Sequence, residues 1–151
     1  NSSAQQVLSG SKDEIAAAAT VAKELGIKRA LPLATAGAFH SKFMQPAREK
    51  LAPVLDTIEF RAPRFPVLSN VTGKPHPADG GAIRALMLEQ VTGTTNWAAD
   101  VETAKALGCD RFVEFGPGKV LCGLIKKIDA AAITLNVSDM ASLEATAGGL
   151  Q

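Results

Sequence analysis

Several things are scarce in this sequence. Its 151 residues contain two cysteines, Cys109 and Cys122, too few for a disulfide framework or a zinc site, so a reducing cytosol is the expected compartment. Neither charge is in excess, with 16 Lys+Arg against 15 Asp+Glu. That balance gives no basis for a nucleic-acid or membrane-surface partner, since both require a basic patch. No apolar run approaches the ~18–20 residues of a membrane span, and no charged-then-apolar signal segment opens the chain. There is no Gly-x-Ser-x-Gly nucleophile elbow; Ser9-Gly10-Ser11 is the nearest approximation and lacks the flanking glycine pattern. What is present, 46% hydrophobic and 21% charged residues, fits a soluble globular protein and argues against disorder, collagen and disulfide-scaffold classes. The chain opens on Asn1 without Met and runs straight into an apolar segment, so its start is expected to be a cut.

Strand-like and helix-like segments alternate, the pattern of α/β layers. Gln5 to Leu8 reads as a strand closed by Ser9-Gly10. Ser11 is a natural N-cap for an alanine-rich helix that Gly26 stops. Lys28 to Leu33 reads as a second strand. The small-residue turn from Ala34 to His40 leads into a helix that Ser41 caps, with Phe43, Met44, Ala47, Leu51, Val54, Leu55 and Ile58 at helical spacing. Phe65 to Leu68 is expected to be a strand, and the Pro- and Gly-rich stretch from Lys74 to Gly81 a loop. Helices follow around 82–91 and 97–107, then a buried-type strand over 111–115, a Gly116-Pro117-Gly118 turn, and a helix over 119–128. A last strand over 133–137 and a terminal helix from Asp139 complete the pattern.

His40 is the most informative single residue. It follows a turn of small residues at the mouth of a helix, where a side chain can reach a cleft, and histidine suits general-base work because imidazole titrates near neutrality. The competing reading is a hydrogen-bonded histidine at a helix start. His76, between Pro75 and Pro77, reads as solvated. A base needs a nucleophile to activate. Cys122 lies mid-helix in an apolar stretch and reads as core, and Cys109 sits at a helix end, so a Cys–His hydrolase has weak support. Gly116-Pro117-Gly118-Lys119 is too short for a phosphate loop, with Val120 where Ser or Thr should bind magnesium, and Leu121 replaces the third glycine of a dinucleotide fingerprint. It reads as a tight turn whose following helix could help bind an anion through its first N–H groups. Gln90, just before the break at 91–95, could orient a histidine through its side chain or its carbonyl, the third-member role of a triad.

Taken together, the segments resemble the malonyl-CoA:acyl-carrier-protein transacylases of type II fatty-acid synthesis. NSSAQQVLSG resembles the family's N-(S/A)-P-G-Q-V-V-I-S-G, GAFHSKFMQPA its histidine segment, FPVLSNVTGKP its Pro-Val-x-x-Asn-Val strand, and LEQVTGTTNW its x-x-Gln-Leu-x-x-Pro-Val-x-Trp stretch. VEFGPGKVLCGLIKKI is close to E-V-G-P-G-K-V-L-x-G-L. The matches occur in family order from Asn1 to about Ile128.

The resemblance implies transfer of a malonyl group from coenzyme A to the phosphopantetheine thiol of acyl carrier protein through a seryl ester. His40 falls on the family's base and Gln90 on the glutamine whose main-chain carbonyl holds the histidine's other ring nitrogen. Asn1 falls on an asparagine near the acyl pocket. Phe39 matches the Ala-Phe-His pattern of malonyl-selective domains, where a bulky ring leaves little room for a 2-methyl branch. No resident cofactor or metal is implied: malonyl-CoA is substrate, and the carrier protein brings the phosphopantetheine.

The serine, the oxyanion-hole glutamine and the carboxylate-binding arginine lie N-terminal to Asn1 in the family. The chain is therefore expected to be the C-terminal half, with the N-terminal half as a partner, in the cytoplasm or an organelle stroma. The implied fold is α/β, with residues 1–36 as the second half of a ferredoxin-like small subdomain and 37–151 as the C-terminal part of an α/β-hydrolase-like large one. Two incomplete subdomains should present unpaired sheet edges or exposed apolar faces.

Two loops depart from the family pattern: Ser3-Ala4 stands for Pro-Gly, and Gly93-Thr94-Thr95-Asn96 for residues including Pro. Two alternatives stay open, an acyltransferase domain of a modular polyketide or fatty-acid synthase, and a non-catalytic acyltransferase-like docking module.

Overall fold

Two of the helices begin on side-chain caps that the sequence supplies. In the computed structural model, which describes residues 1–2 and 5–149, α1 (Lys12–Glu24) starts on a capping box. Ser11 Oγ accepts from the Glu14 N–H at 3.2 Å, and the Glu14 carboxylate accepts from the Ser11 N–H at 2.8 Å. Two N–H groups that the helix cannot satisfy itself are thereby paired. The helix closes at Gly26, whose φ of +78° is the left-handed conformation that glycine adopts without a Cβ penalty. A 3₁₀ turn (Lys42–Met44) leads into α2 (Gln45–Asp56), with Pro46 in the first turn, where its missing N–H costs nothing. The strands β1 (Leu68–Ser69) and β2 (Lys74–Pro75) are two residues each. Asp79 Oδ1 accepts from the Ala82 N–H at 2.7 Å and caps α3 (Gly80–Thr92). There follow α4 (Trp97–Ala106), β3 (Arg111–Phe115), α5 (Val120–Ile128), β4 (Ile133–Val137) and α6 (Met140–Gly149).

The chain divides into two compact units. One comprises 7–71 and 75–95 and carries α1, the 3₁₀ turn, α2, β1 and α3; Leu55 of α2 and Ile83 of α3 are buried in it. Arg84 of α3 forms an ion pair with Asp56 at the end of α2. The other unit comprises the described residues of 1–6, 72–74 and 96–151. Its centre is a β3–α5–β4 unit in which the strands pair in parallel, from Arg111 opposite Ile133 to Phe115 opposite Val137. Parallel neighbours need a crossover, which α5 provides. Ile125 of α5, Val101 of α4 and Ala132 form a core against which Trp97, Phe112 and Ile128 pack.

Two expected strands do not form. Gln5 to Leu8 has one isolated bridge, Ser2 with Gln5, and is otherwise irregular; Lys28 to Leu33 has no strand pairing. The physical reason is the same for both. A strand is held by a ladder of main-chain hydrogen bonds, and no neighbouring strand offers one among the described residues. Their apolar side chains stay in water, Leu8 at 69% and Leu33 at 62% exposure. The strand expected over Phe65 to Leu68 shortens to Leu68–Ser69, with Phe65 exposed. The two-stranded β3–β4 sheet keeps exposed apolar positions, Phe115 at 76%. The Ser3-Ala4 departure and Leu150-Gln151 lie outside the described residues.

Candidate active site

His40 stands at a corner that its neighbour Ser41 builds. Ser41 Oγ donates to the Ala38 carbonyl at 2.6 Å and accepts from the Phe43 N–H at 3.3 Å, tying the preceding turn to the 3₁₀ turn that follows. Between these anchors His40 takes φ +57°, the one non-glycine residue with positive φ among those described. Left-handed backbone is uncommon for a side-chain-bearing residue, and histidine is among the types that tolerate it best. Ser41→Ala removes both anchors and is expected to lower stability by about 1 kcal/mol, the usual effect of losing an N-cap oxygen. A urea midpoint unchanged from wild type would contradict it.

The ring of His40 is fixed by the end of α3. Its Nδ1 lies 3.0 Å from the main-chain carbonyl of Gln90. That carbonyl is free because α3 stops at Thr92: the last four carbonyls of a helix have no intrahelical partner. At Gly93 the chain turns extended, with φ −84° and ψ 160°, and the Gly93 N–H closes the helix onto Glu89 O at 2.7 Å. A β-carbon at Gly93 would stand 2.8 Å from that same oxygen, so the break is shaped for glycine. Arg48 Nη1 donates to Thr92 Oγ1 at 3.2 Å and ties α2 to the end of α3. A carbonyl cannot donate, so the His40 proton sits on Nδ1 and Nε2 keeps its lone pair. Among the described residues Nε2 has no hydrogen bond, and His40 is exposed. An oriented, open Nε2 of this kind can accept a proton.

The other site residues predicted from sequence are placed as follows. Phe39, adjoining His40, is 48% exposed. Asn1 is half-buried and belongs to the other compact unit. A cavity of about 500 Å³ opens beside Ser41, lined by Leu8, Gly10, Glu14, Ile15 and Phe43 among others; His40 is not in its lining. Cys122 is buried and donates through Sγ to the Leu135 carbonyl at 3.3 Å. Burial, followed by the neighbouring Glu114 carboxylate, pushes its thiol pKa up, which makes it a structural thiol rather than a nucleophile.

Two expectations need correction. His76 is half-buried rather than merely solvated: its N–H donates to the Val67 carbonyl at 2.8 Å, and its Nδ1 is out of reach of solvent. The start of α5 is not open to an anion either. Glu114 already caps it, accepting from the Cys122 N–H at 2.9 Å and the Leu121 N–H at 3.1 Å. Those N–H groups, that of Cys122 foremost, hold the Glu114 carboxyl below the usual carboxylate range.

Sequence reasoning missed Thr95 and Arg48 around the His40 corner, and Asn136 and Asp100 in the other compact unit. Asn136 Nδ2 donates to the carbonyls of Glu114, Gly116 and Gly118 and clasps the Gly-Pro-Gly turn; a lone Asn near the end of a strand carries no such signal. Thr95 places Oγ1 3.4 Å from His40 Nδ1, in the segment that sequence marked only as a departure from a pattern. Arg48 carries no sign in sequence that it ties α2 to α3. Asp100 is buried at 4% exposure, and neither carboxylate oxygen has a hydrogen-bond partner. Its one sequence signal is an acid three residues after Trp97 on a helix whose next residue, Val101, is core. Among the described residues no His/Cys/Asp/Glu group could hold a metal ion, and no helix is long and apolar enough to cross a membrane.

This architecture is similar to part of the α/β acyltransferase fold. The acyl carrier protein S-malonyltransferase of Vibrio cholerae superposes with a TM-score of 0.84 at 39% identity, covering 91% of this chain and 44% of that one. A malonyl-transacylase solved with a type II PKS acyl-carrier protein superposes at 0.86 and 38%, covering 93% and 45%. In sequence, the chain is homologous to the malonyl CoA-acyl carrier protein transacylases. It is 38% identical over 144 residues to that of Bacillus subtilis, covering 95% of this chain and 45% of the relative. With that of Escherichia coli K12 it shares 39% over 151 residues, covering all of this chain and 48% of the relative. The chain thus spans about half the length of the curated relatives it matches. No family model matches it.

Proposed function

We propose that this chain supplies the general base of a malonyl-CoA:acyl-carrier-protein transacylase, the nucleophilic serine coming from polypeptide outside these 151 residues. The observation that supports it is the ring of His40, held through Nδ1 by the Gln90 carbonyl at 3.0 Å with Nε2 open. In that role His40 Nε2 takes the serine proton as the hydroxyl attacks the malonyl thioester and returns it to the departing coenzyme A thiolate. The same pair acts in reverse order when the carrier protein's thiol attacks the seryl ester. The Gln90 carbonyl stabilises the imidazolium formed between the two transfers, because it accepts from the Nδ1–H throughout. Phe39 favours malonyl over branched homologues, and Asn1 is a substrate-binding residue. Residues 1–36 then belong to a small subdomain and 37–151 to a large one. The partners are malonyl-CoA, acyl carrier protein and the remaining half of the enzyme, the pathway is fatty-acid synthesis, and the compartment is the cytoplasm or an organelle stroma.

The test uses radiolabelled malonyl-CoA. The protein carrying this chain together with its nucleophile-bearing half is expected to label acyl carrier protein, and the 151 residues alone are expected to take up no covalent label. Label retained by the isolated chain, or none on the carrier with the whole enzyme, overturns the assignment.

A further inference from the structure

We propose that Thr95 is a positioning residue for His40, its hydroxyl sharing the Nδ1 proton with the Gln90 carbonyl. The assignment rests on His40 being the base. Nδ1 has two oxygen neighbours, the Gln90 carbonyl at 3.0 Å and Thr95 Oγ1 at 3.4 Å. The carbonyl has only lone pairs to offer, so an unprotonated Nδ1 would face it lone pair to lone pair at hydrogen-bonding distance. Nδ1 therefore carries the proton, and Oγ1 is the second, longer acceptor of a three-centre bond.

A second acceptor does what a single one cannot. One oxygen fixes a point on the ring and leaves it free to pivot about that contact; two oxygens hold its plane, and with it the direction in which Nε2 points. Proton transfer is sensitive to that direction, because the base must meet the nucleophile's proton along its lone pair.

The backbone places both acceptors by one device. Gln90 lies before the Gly93 break and Thr95 after it, so the extended turn at Gly93 ends α3, frees the Gln90 carbonyl and carries Thr95 back to the same nitrogen. Thr95 is half-buried, which limits the water that could replace its hydroxyl.

The test compares Thr95→Val, which replaces the hydroxyl by a methyl of the same shape, with Thr95→Ser, which keeps it. Two readouts are taken on the protein carrying this chain. Nitrogen-15 NMR of the His40 ring reports which nitrogen is protonated and how fast its proton exchanges. Steady-state transfer from malonyl-CoA, with the nucleophile-bearing half present, reports kcat and KM separately. For Thr95→Val the Nδ1 proton is expected to exchange several-fold faster, and kcat to fall about three- to tenfold at unchanged KM, the scale of one weak hydrogen bond. Thr95→Ser is expected to retain wild-type behaviour in both.

Equal losses in the two variants would make the effect steric and overturn the proposal, as would wild-type exchange and kcat in Thr95→Val. A fall in KM affinity alone would also overturn it. His40→Asn separates the two claims. If it abolishes transfer while Thr95→Val is silent, Thr95 has no positioning role and the base stands. If it leaves transfer intact, His40 is not the base whatever Thr95 does.

Discussion

Replacing His40 by alanine in the active enzyme is expected to slow malonyl transfer on the order of 10³-fold or more, with the chain still folded. General-base catalysis alone is worth about 10²- to 10⁴-fold, and removing a base that acts in concert with a nucleophile falls at or beyond the upper end. The folded state should tolerate the change because the ring is exposed and its two oxygen partners, the Gln90 carbonyl and the Thr95 hydroxyl, can be satisfied by water. The backbone at φ +57° is the complication. Alanine has no side-chain group to offset left-handed strain, whereas asparagine visits that region readily. His40→Asn therefore keeps the corner while removing the base, and it should lose as much rate as His40→Ala with a smaller loss of thermal stability. Single-turnover formation of the seryl ester, followed with labelled malonyl-CoA, isolates the step concerned. A wild-type rate in either variant would remove His40 from the chemistry.

Asp100→Asn is expected to stabilise the protein above pH 6 and to leave it unchanged near pH 3.5. Asp100 is buried without a hydrogen-bond partner, and that desolvation raises its pKa to about 6. The unfolded chain titrates it near the ordinary aspartate value of 3.8. Below 3.8 the carboxyl is protonated in both states and costs nothing. As pH rises from 3.8 to 6 the unfolded state ionises first, so folding stability falls, and above 6 the full loss is in place. The difference of roughly two pKa units corresponds to at most about 3 kcal/mol. Asparagine has nearly the same shape and no charge, so it escapes that loss while keeping the packing beside Val101. Urea unfolding at pH 3.5, 5 and 7.5 checks the profile: the advantage of the variant should grow with pH and level off above 6. An advantage independent of pH would mean that the carboxylate is not what destabilises the wild type.

How much of this could be read without coordinates depended on whether a signal was local. The cap at Ser11 and the stop at Gly26 are each contained within a few residues, and each stands where the sequence put it, whereas Ser41 caps the short 3₁₀ turn and not α2, which begins at Gln45 without a side-chain cap. The β3–α5–β4 unit was legible for a related reason: an apolar strand, a glycine turn, an amphipathic helix and a second strand follow one another directly. The strands expected at Gln5 to Leu8 and Lys28 to Leu33 failed because a strand is a property of two segments. Their apolar content was real, but no neighbouring ladder exists among the described residues to bind their main chains.

By itself the sequence determined the α/β alternation, the helix ends and the kinship that marked His40 and Gln90. All of these follow from side-chain chemistry read along the chain or from motifs matched in order. Only the tertiary structure decided which atoms meet. It brought the carbonyl of residue 90 to the ring of residue 40, added the Thr95 hydroxyl to the same nitrogen, closed the start of α5 with Glu114 and left Asp100 buried without a partner. Such contacts depend on where a helix stops and how the chain leaves it. That is set by packing between segments tens of residues apart, which local pattern does not encode.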